Sequence, residues 1–209
     1  LFLSHLPHDI PITIIGAGSN LLVRDGGVEG VVIRLAGALA EARLDGTSIH
    51  AGAGCTDGQV ARFAAKQGRS NLEFLVGIPG TIGGGLRMNA GCYGSEFRDV
   101  LISATAMTRS GTIITATADE MGMAYRHSNA PQDWIFLSAE FTTIAGTSDI
   151  IRVTMKDMIS FSQIGREGQL TSRKTSHFKL LHKQSGIPYD EMLFFDDCNW
   201  GDHVGDLSN

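Results

Sequence analysis

Glycine is the residue that most restricts what this chain can fold into. It occurs 26 times in 209 residues, about twice an average share of roughly 7%, and it is concentrated before residue 95. A collagen-like chain is excluded by the lack of a G-X-Y period, and a disordered one by a hydrophobic content of 43%. The glycines are therefore places where the backbone turns tightly or lies close against a ligand. A chain of this length buries a real core, as one large domain or two small ones. Its net charge of -5 and its lack of a Lys/Arg cluster argue against nucleic acid as a partner and leave small molecules. Cys55, Cys92 and Cys198 lie far apart with no C-x-x-C spacing, which suits free thiols in a reducing compartment, so the cytoplasm is the expected location. No apolar run nears the length of about 20 residues that a membrane span needs, and no basic-headed signal peptide opens the chain. The first residue is Leu1, not methionine, from which a fragment or partial gene product is expected.

The hydrophobic pattern predicts short strands between polar glycine loops. Ile12 to Ile15 and Val31 to Leu35 flank Gly16-Ala17-Gly18-Ser19-Asn20 and Asp25-Gly26-Gly27. Ala40 to Leu44 and Ser48 to Ala51 flank Asp45-Gly46, which predicts a hairpin with a type I′ turn and positive φ at both central residues. Thr56 and Gln59 form a capping box before Val60, Phe63 and Ala64, and Gly68 ends the helix, predicted over Asp57 to Gln67. Gly77 to Gly85 is too glycine-rich for an ordinary helix and reads as a tight loop feeding a helical turn at Leu86-Arg87-Met88. Leu101 to Met107 and Thr112 to Ala116 form a second hairpin, Asp119 to Met123 a helical turn, and Trp134 to Thr143 a strand. These elements predict an α+β fold of short antiparallel strands rather than a βαβ repeat. Beyond Thr147 a Gly-poor stretch leads to a helix at Thr175 to Gln184 and a buried strand, Met192 to Phe195, ending in Asp196-Asp197.

Successive N–H groups in Gly16-Ala17-Gly18-Ser19-Asn20, unobstructed by Cβ atoms, can point at a diphosphate, and an ordinary β-turn is the competing reading. It is not a dinucleotide fingerprint of the G-x-G-x-x-G kind, because the third glycine and the long helix are missing. Four segments in order, GAGSNLLVRDGG, LEFLVGIPGTIGG, MNAGCYG and MAYRHSN, resemble the UDP-N-acetylenolpyruvoylglucosamine reductases, the MurB family of peptidoglycan synthesis. The resemblance covers about residues 1–147. It implies the FAD-binding fold of the vanillyl-alcohol oxidase (PCMH) type, truncated at both ends, with residues 1–35 ending a first subdomain and 36–147 forming a second.

The resemblance further implies FAD as cofactor, NADPH as reductant and UDP-N-acetylglucosamine enolpyruvate as substrate. Gly16, Ala17, Gly18, Ser19 and Asn20 would hold the FAD diphosphate. Gly77, Ile78, Pro79, Gly80, Thr81, Gly83 and Gly84, with Asn89, Ala90, Gly91, Tyr93 and Gly94, would line the rest of the dinucleotide, Ile78 and Ile82 acting as wall residues. Arg126 matches the family's catalytic arginine, whose permanently charged, planar guanidinium suits it to stabilising an enolate; a surface ion pair is its alternative use. His127 reads as a loop or packing residue.

The serine proton donor and distal glutamate that the family carries in a third domain have no counterpart, and Ser176 in Thr175-Ser176-His177-Phe178-Lys179 is only a faint echo of the former. Instead, about residues 159–208 resemble a partial α/β tail of the magnesium-dependent phosphatases of the haloacid dehalogenase superfamily, after a junction at 148–158. That likeness implies phosphate binding by Lys174 and Mg²⁺ binding by Asp196 and Asp197, and it leaves the D-x-D nucleophile missing. Three functions follow as expectations: a FAD-dependent reductase without detectable turnover in this form, a non-catalytic FAD-binding remnant, or a phosphatase fragment.

Overall fold

The structure is a computed structural model and describes residues 2–164. The expectations for Lys174, Ser176, Asp196, Asp197, the helix at 175–184 and the strand at 192–195 lie outside the described residues. Two compact units divide the chain, Leu1–Ile159 and Ser160–Asn209. Among the described residues no helix is long and apolar enough to cross a membrane.

A short helix α1 (Phe2–His5) leads to strands β1 (Ile12–Ile15) and β2 (Val31–Arg34). These two pair in parallel, Ile12 opposite Val31 through Ile15 opposite Arg34, which corrects the expectation of uniformly antiparallel strands. The long connection through residues 16–30 is the reason: it gives the chain room to return to the starting end of β1, which a two-residue turn cannot do. A 3-10 turn at Gly37–Ala40 then replaces the first part of the expected next strand, so β3 covers Ala42–Asp45 and β4 Ser48–Gly52.

Helix α2 (Asp57–Lys66) follows the predicted bounds closely. Thr56 Oγ1 accepts the Gln59 N–H at 3.3 Å, and Gln59 Oε1 accepts the Thr56 N–H at 2.9 Å. Gly68 ends the helix with φ +62. A two-residue strand β5 (Arg69–Ser70) and a 3-10 segment at Glu73–Gly77 lead into α3 (Ile82–Met88), then β6 (Gly91–Cys92), β7 (Ser95–Glu96) and α4 (Phe97–Val100). Strands β8 (Leu101–Met107), β9 (Ile113–Ala116), β10 (Ile135–Thr142) and β11 (Ile144–Ala145) precede the last helix, α5 (Ser148–Ile164). The expected helical turn near residue 119 is a single turn closed by the Met121 N–H on the Thr117 carbonyl at 3.1 Å.

The main sheet has the order β3-β4-β10-β8-β9 and is antiparallel throughout. Central β10 is buried at Ile135, Phe136, Ser138, Ala139 and Phe141. Phe97 packs edge-on against Phe141 (ring centroids 5.5 Å apart) and Phe74 (6.5 Å), joining the sheet to the helical layer; such pairs add about 0.5–1.5 kcal/mol beyond area burial. The three glycines of α3 lie inside the helix, not in a loop before it. Each costs about 1 kcal/mol of helix propensity, but a methyl on Gly85 would run into the Phe97 ring and one on Gly83 into Ala53. Close packing has overruled propensity at these positions.

The two turn types are the reverse of the sequence expectation at one hairpin. Asp45 pairs with Ser48, so the central residues are Gly46 and Thr47, and only Gly46 has positive φ (+57). That φ pattern is type II′, because a β-branched threonine resists the left-handed region. A turn left-handed at both centres occurs instead between β6 and β7, at Tyr93 (φ +53) and Gly94 (φ +80).

Candidate functional site

A cleft of about 190 Å³ lies where the ends of β1 and β2 face the start of α3. Ile14 through Ala17 form one wall with Arg34 and Leu35, and Thr81, Gly83, Gly84 and Arg87 form the other. Ala53, Gly54 and Thr56 supply the connection into α2, and Trp134 to Phe136 the start of β10. The walls touch at one point: a methyl on Gly16 would collide with the Thr81 side chain, so only glycine permits this approach.

Of the residues assigned to a dinucleotide from the sequence, Gly16, Ala17, Thr81, Gly83 and Gly84 come together in this cleft. Gly18 (φ +78), Ser19 and Asn20 continue the exposed turn beyond it. The others take structural positions. A methyl on Gly77 would overlap Tyr93, so glycine there makes room for the ring. Ile78 is half-buried against the core and Ile82 fully buried within it, and neither is among the residues that line the cleft. Gly80 offers its carbonyl to the Asp57 N–H at 3.2 Å. Asn89, only 1% exposed, donates from Nδ2 to the Ala124 carbonyl and accepts the Arg98 N–H on Oδ1, both at 3.0 Å, so its amide is engaged within the protein. Ala90 is buried and Gly91 lies in β6.

Arg126 stands on a separate turn, outside the residues that line the cleft. Ala124 and His127 exchange backbone hydrogen bonds at 3.0 Å in each direction, with Tyr125 and Arg126 at the tip. Arg126 is exposed and left-handed (φ +53), an uncommon backbone state for a residue with a Cβ. Asn89 grips the base of this turn through Ala124. His127 Nε2 lies 2.8 Å from Asn129 Oδ1, which fits its expected packing role.

Sequence reasoning missed several groups. Arg34 lines the cleft at the end of β2, and its side chain has no hydrogen-bond or ion-pair partner among the described residues. Arg87 is a latch rather than a free charge: it donates to the carbonyls of Ala130 (2.9 Å), Pro131 (2.9 Å) and Trp134 (2.5 Å) and lies 4.9 Å from the Phe136 ring centre. Burial lowers its pKa, yet a guanidinium stays charged. Asp57, at the start of α2, is 0% exposed and neither carboxylate oxygen has a hydrogen-bond partner. Desolvation drives its pKa to about 7. Only the capping signal at Thr56 hinted at this position, and a capping signal says nothing about burial. Among the described residues no cluster of His, Cys, Asp or Glu could hold a metal.

Comparison with known proteins identifies the family. Residues 6–117 match the FAD binding domain family, more than half of the chain. The chain therefore belongs to the FAD binding domain family. Within it the similarity is to the UDP-N-acetylenolpyruvoylglucosamine reductases, the MurB family. The reductase of Maricaulis maris (strain MCS10) is 56% identical over 155 residues, covering 74% of this chain and 49% of that protein. The Azorhizobium caulinodans reductase is 52% identical over 158 residues, 76% of this chain and 51% of that one. The crystal structure of the Thermus caldophilus reductase superposes with a TM-score of 0.68 at 33% identity, over 76% of this chain and 57% of that chain. The chain spans about half the length of the curated relatives it matches.

Residues 139–208 match a second family, Acid Phosphatase, in keeping with the phosphatase likeness of the tail. The described part of that stretch begins inside β10, whose residues 138–142 pair with β4 and 135–141 with β8. Ile151 and Met155 of α5 are buried in the same core as the sheet.

Proposed function

We propose that this chain carries the FAD-binding part of a UDP-N-acetylenolpyruvoylglucosamine reductase, working in the cytoplasm on UDP-N-acetylglucosamine enolpyruvate with NADPH as reductant. The observation that carries the reading is the contact of Gly16 with Thr81. It brings the turn after β1 against the glycine-bearing start of α3: the side-chain positions of Gly16 and Gly83 are taken up by Thr81 and Ala53, and Gly84, with no tight neighbour, lines the cleft between them. When bound, FAD supplies hydride chemistry. The protein supplies binding and orientation. Backbone N–H groups at Gly16, Ala17 and Gly84, the Thr81 hydroxyl and the Arg34 guanidinium are donors suited to a diphosphate, whereas the Gly83 N–H is already bonded to the Ala53 carbonyl at 2.9 Å.

Arg126 has the chemistry to stabilise negative charge developing on the enolpyruvyl group, and its left-handed backbone is the kind of local strain found at working residues. Asn89 fixes the turn that presents it. Incubating the purified 209-residue chain with FAD, removing free cofactor by gel filtration and recording flavin absorbance tests the reading. Retained, near-stoichiometric flavin is the expected outcome, and complete loss on filtration counts against it.

A phosphatase reading rests on the match over residues 139–208. It would assign phosphate to Lys174 and Mg²⁺ to Asp196 and Asp197. Hydrolysis of a phosphomonoester by the purified chain only when Mg²⁺ is added would favour it.

A further inference from the structure

Asp57 is the most unusual buried group among the described residues. It follows Thr56, which lines the cleft, and its Oδ2 would sit 2.8 Å from a methyl placed on Gly80, next to Thr81 of the opposite wall. The Asp57 N–H is bonded to the Gly80 carbonyl, so acid and loop are joined through the backbone as well. Both carboxylate oxygens are nonetheless without a partner. An ionised carboxylate so placed is far costlier than a neutral acid. The N-terminal position on α2 favours negative charge by only about 0.3–1 kcal/mol in usual cases, too little to offset full burial.

We propose that Asp57 is a positioning residue that holds a proton while the cleft is occupied: the neutral acid supports the 78–81 loop, and its ionisation weakens binding of the FAD diphosphate. This rests on the dinucleotide reading of the cleft. A ligand carrying two phosphates beside Thr56 and Thr81 would meet an ionised Asp57 across low-dielectric protein, where like charges repel strongly. Desolvation is the main cause that puts the Asp57 pKa at about 7; the backbone N–H groups of Asp57 and Gly80 act in the lowering direction, although neither reaches hydrogen-bonding geometry with a carboxylate oxygen. The charged or titratable neighbours are few. The Cys55 thiol, preceding the cap, is held neutral by burial. Arg62, on the outer side of α2, reaches back toward Gly58, and Arg87 across the cleft is committed to three carbonyls. Residues 78–81 carry no titratable side chain.

The test measures FAD dissociation constants by flavin fluorescence for the 209-residue chain and for Asp57→Asn between pH 6 and 9, with melting of both proteins from pH 5 to 9 in the absence of FAD. Wild-type affinity should be level at the acid end and fall about tenfold per pH unit once the proton is lost, as one linked proton requires. Asp57→Asn should stay level and match the wild type at pH 6. In the melting series, an acid whose folded pKa is raised gives stability that is present at low pH and is lost as pH rises through the folded value of about 7. The variant should therefore gain on the wild type up to about that pH, and the gap should then hold steady. A flat wild-type FAD profile, or a variant that keeps the wild-type slope, overturns the proposal. If neither protein binds FAD at any pH while the melting curves still diverge, the dinucleotide reading fails and takes the linkage with it, and only the buried proton stands.

Discussion

The two walls of the cleft are built by different physics. The wall made by α3 and β10 is set in the core: Ile82 and Leu86 are fully buried, Phe136 nearly so, and Arg87 ties the helix to three carbonyls of the segment before β10. The wall made by β1, β2 and residues 16–30 is a two-stranded parallel sheet with Ile14, Leu21, Val23 and Val32 exposed and Leu22 79% exposed. It is held by few ties, among them the Val31 N–H on the Pro11 carbonyl and Arg109 reaching the carbonyls of Pro7 and Ile10. One wall is fixed by burial and carries the fold. The other is placed mainly by close approach, with the side-chain position of Gly16 at its end taken up by Thr81.

This contrast predicts unequal responses to mutation. Phe97→Ala, which removes the ring joining sheet to helices, should destabilise the chain by about 3–5 kcal/mol; denaturant unfolding checks it, and a loss below about 1 kcal/mol would mean the α3 side is not the rigid one. Gly16→Val should weaken FAD binding at least about tenfold, roughly 1.4 kcal/mol, with little change in melting temperature, because the side chain would enter the Thr81 contact rather than the core. Thr56→Ala removes one half of the α2 capping box and should cost about 1 kcal/mol, read by the same unfolding experiment. Leu22→Ser should change stability by less than about 0.5 kcal/mol; a larger loss would show that the exposed wall is packed in solution and would erase the distinction.

What could be read from the sequence follows the same division. The α2 cap, both hairpins and the β10 strand were legible because local rules act there: a capping box, a short turn between alternating runs, a β-branched segment. The α3 helix was not, since Gly85 is required by the Phe97 ring and Gly83 sits tightly on Ala53, contacts that no local pattern announces. The parallel pairing of β1 with β2 also escaped, because no local signal states which way a strand returns after a long loop. At the site, the residues of the Gly16 turn suggested a phosphate cradle with an ordinary β-turn as the competing reading, the family resemblance pointed to Thr81 to Gly84, and the structure brings the two segments together. Asn89, Tyr93 and Gly77, named by the same resemblance, lie outside the residues lining the cleft, where Asn89 braces a turn, Tyr93 forms one and Gly77 makes room for the Tyr93 ring. Composition cannot separate a backbone bared for a ligand from one bared for a neighbouring ring. Asp57 was invisible for another reason: burial of a carboxylate depends on the loop laid over it, not on its own neighbours in sequence.

A dinucleotide cleft at the Gly16 and Thr81 contact would be distinct from the turn bearing Arg126. Parallel FAD titrations of the wild-type chain, Gly16→Val and Arg126→Ala, each confirmed folded by its melting curve, address it most directly. Gly16→Val should lose at least about tenfold in affinity and Arg126→Ala little or none. Equal affinity in Gly16→Val and the wild type, or a larger loss in Arg126→Ala than in Gly16→Val, would contradict it.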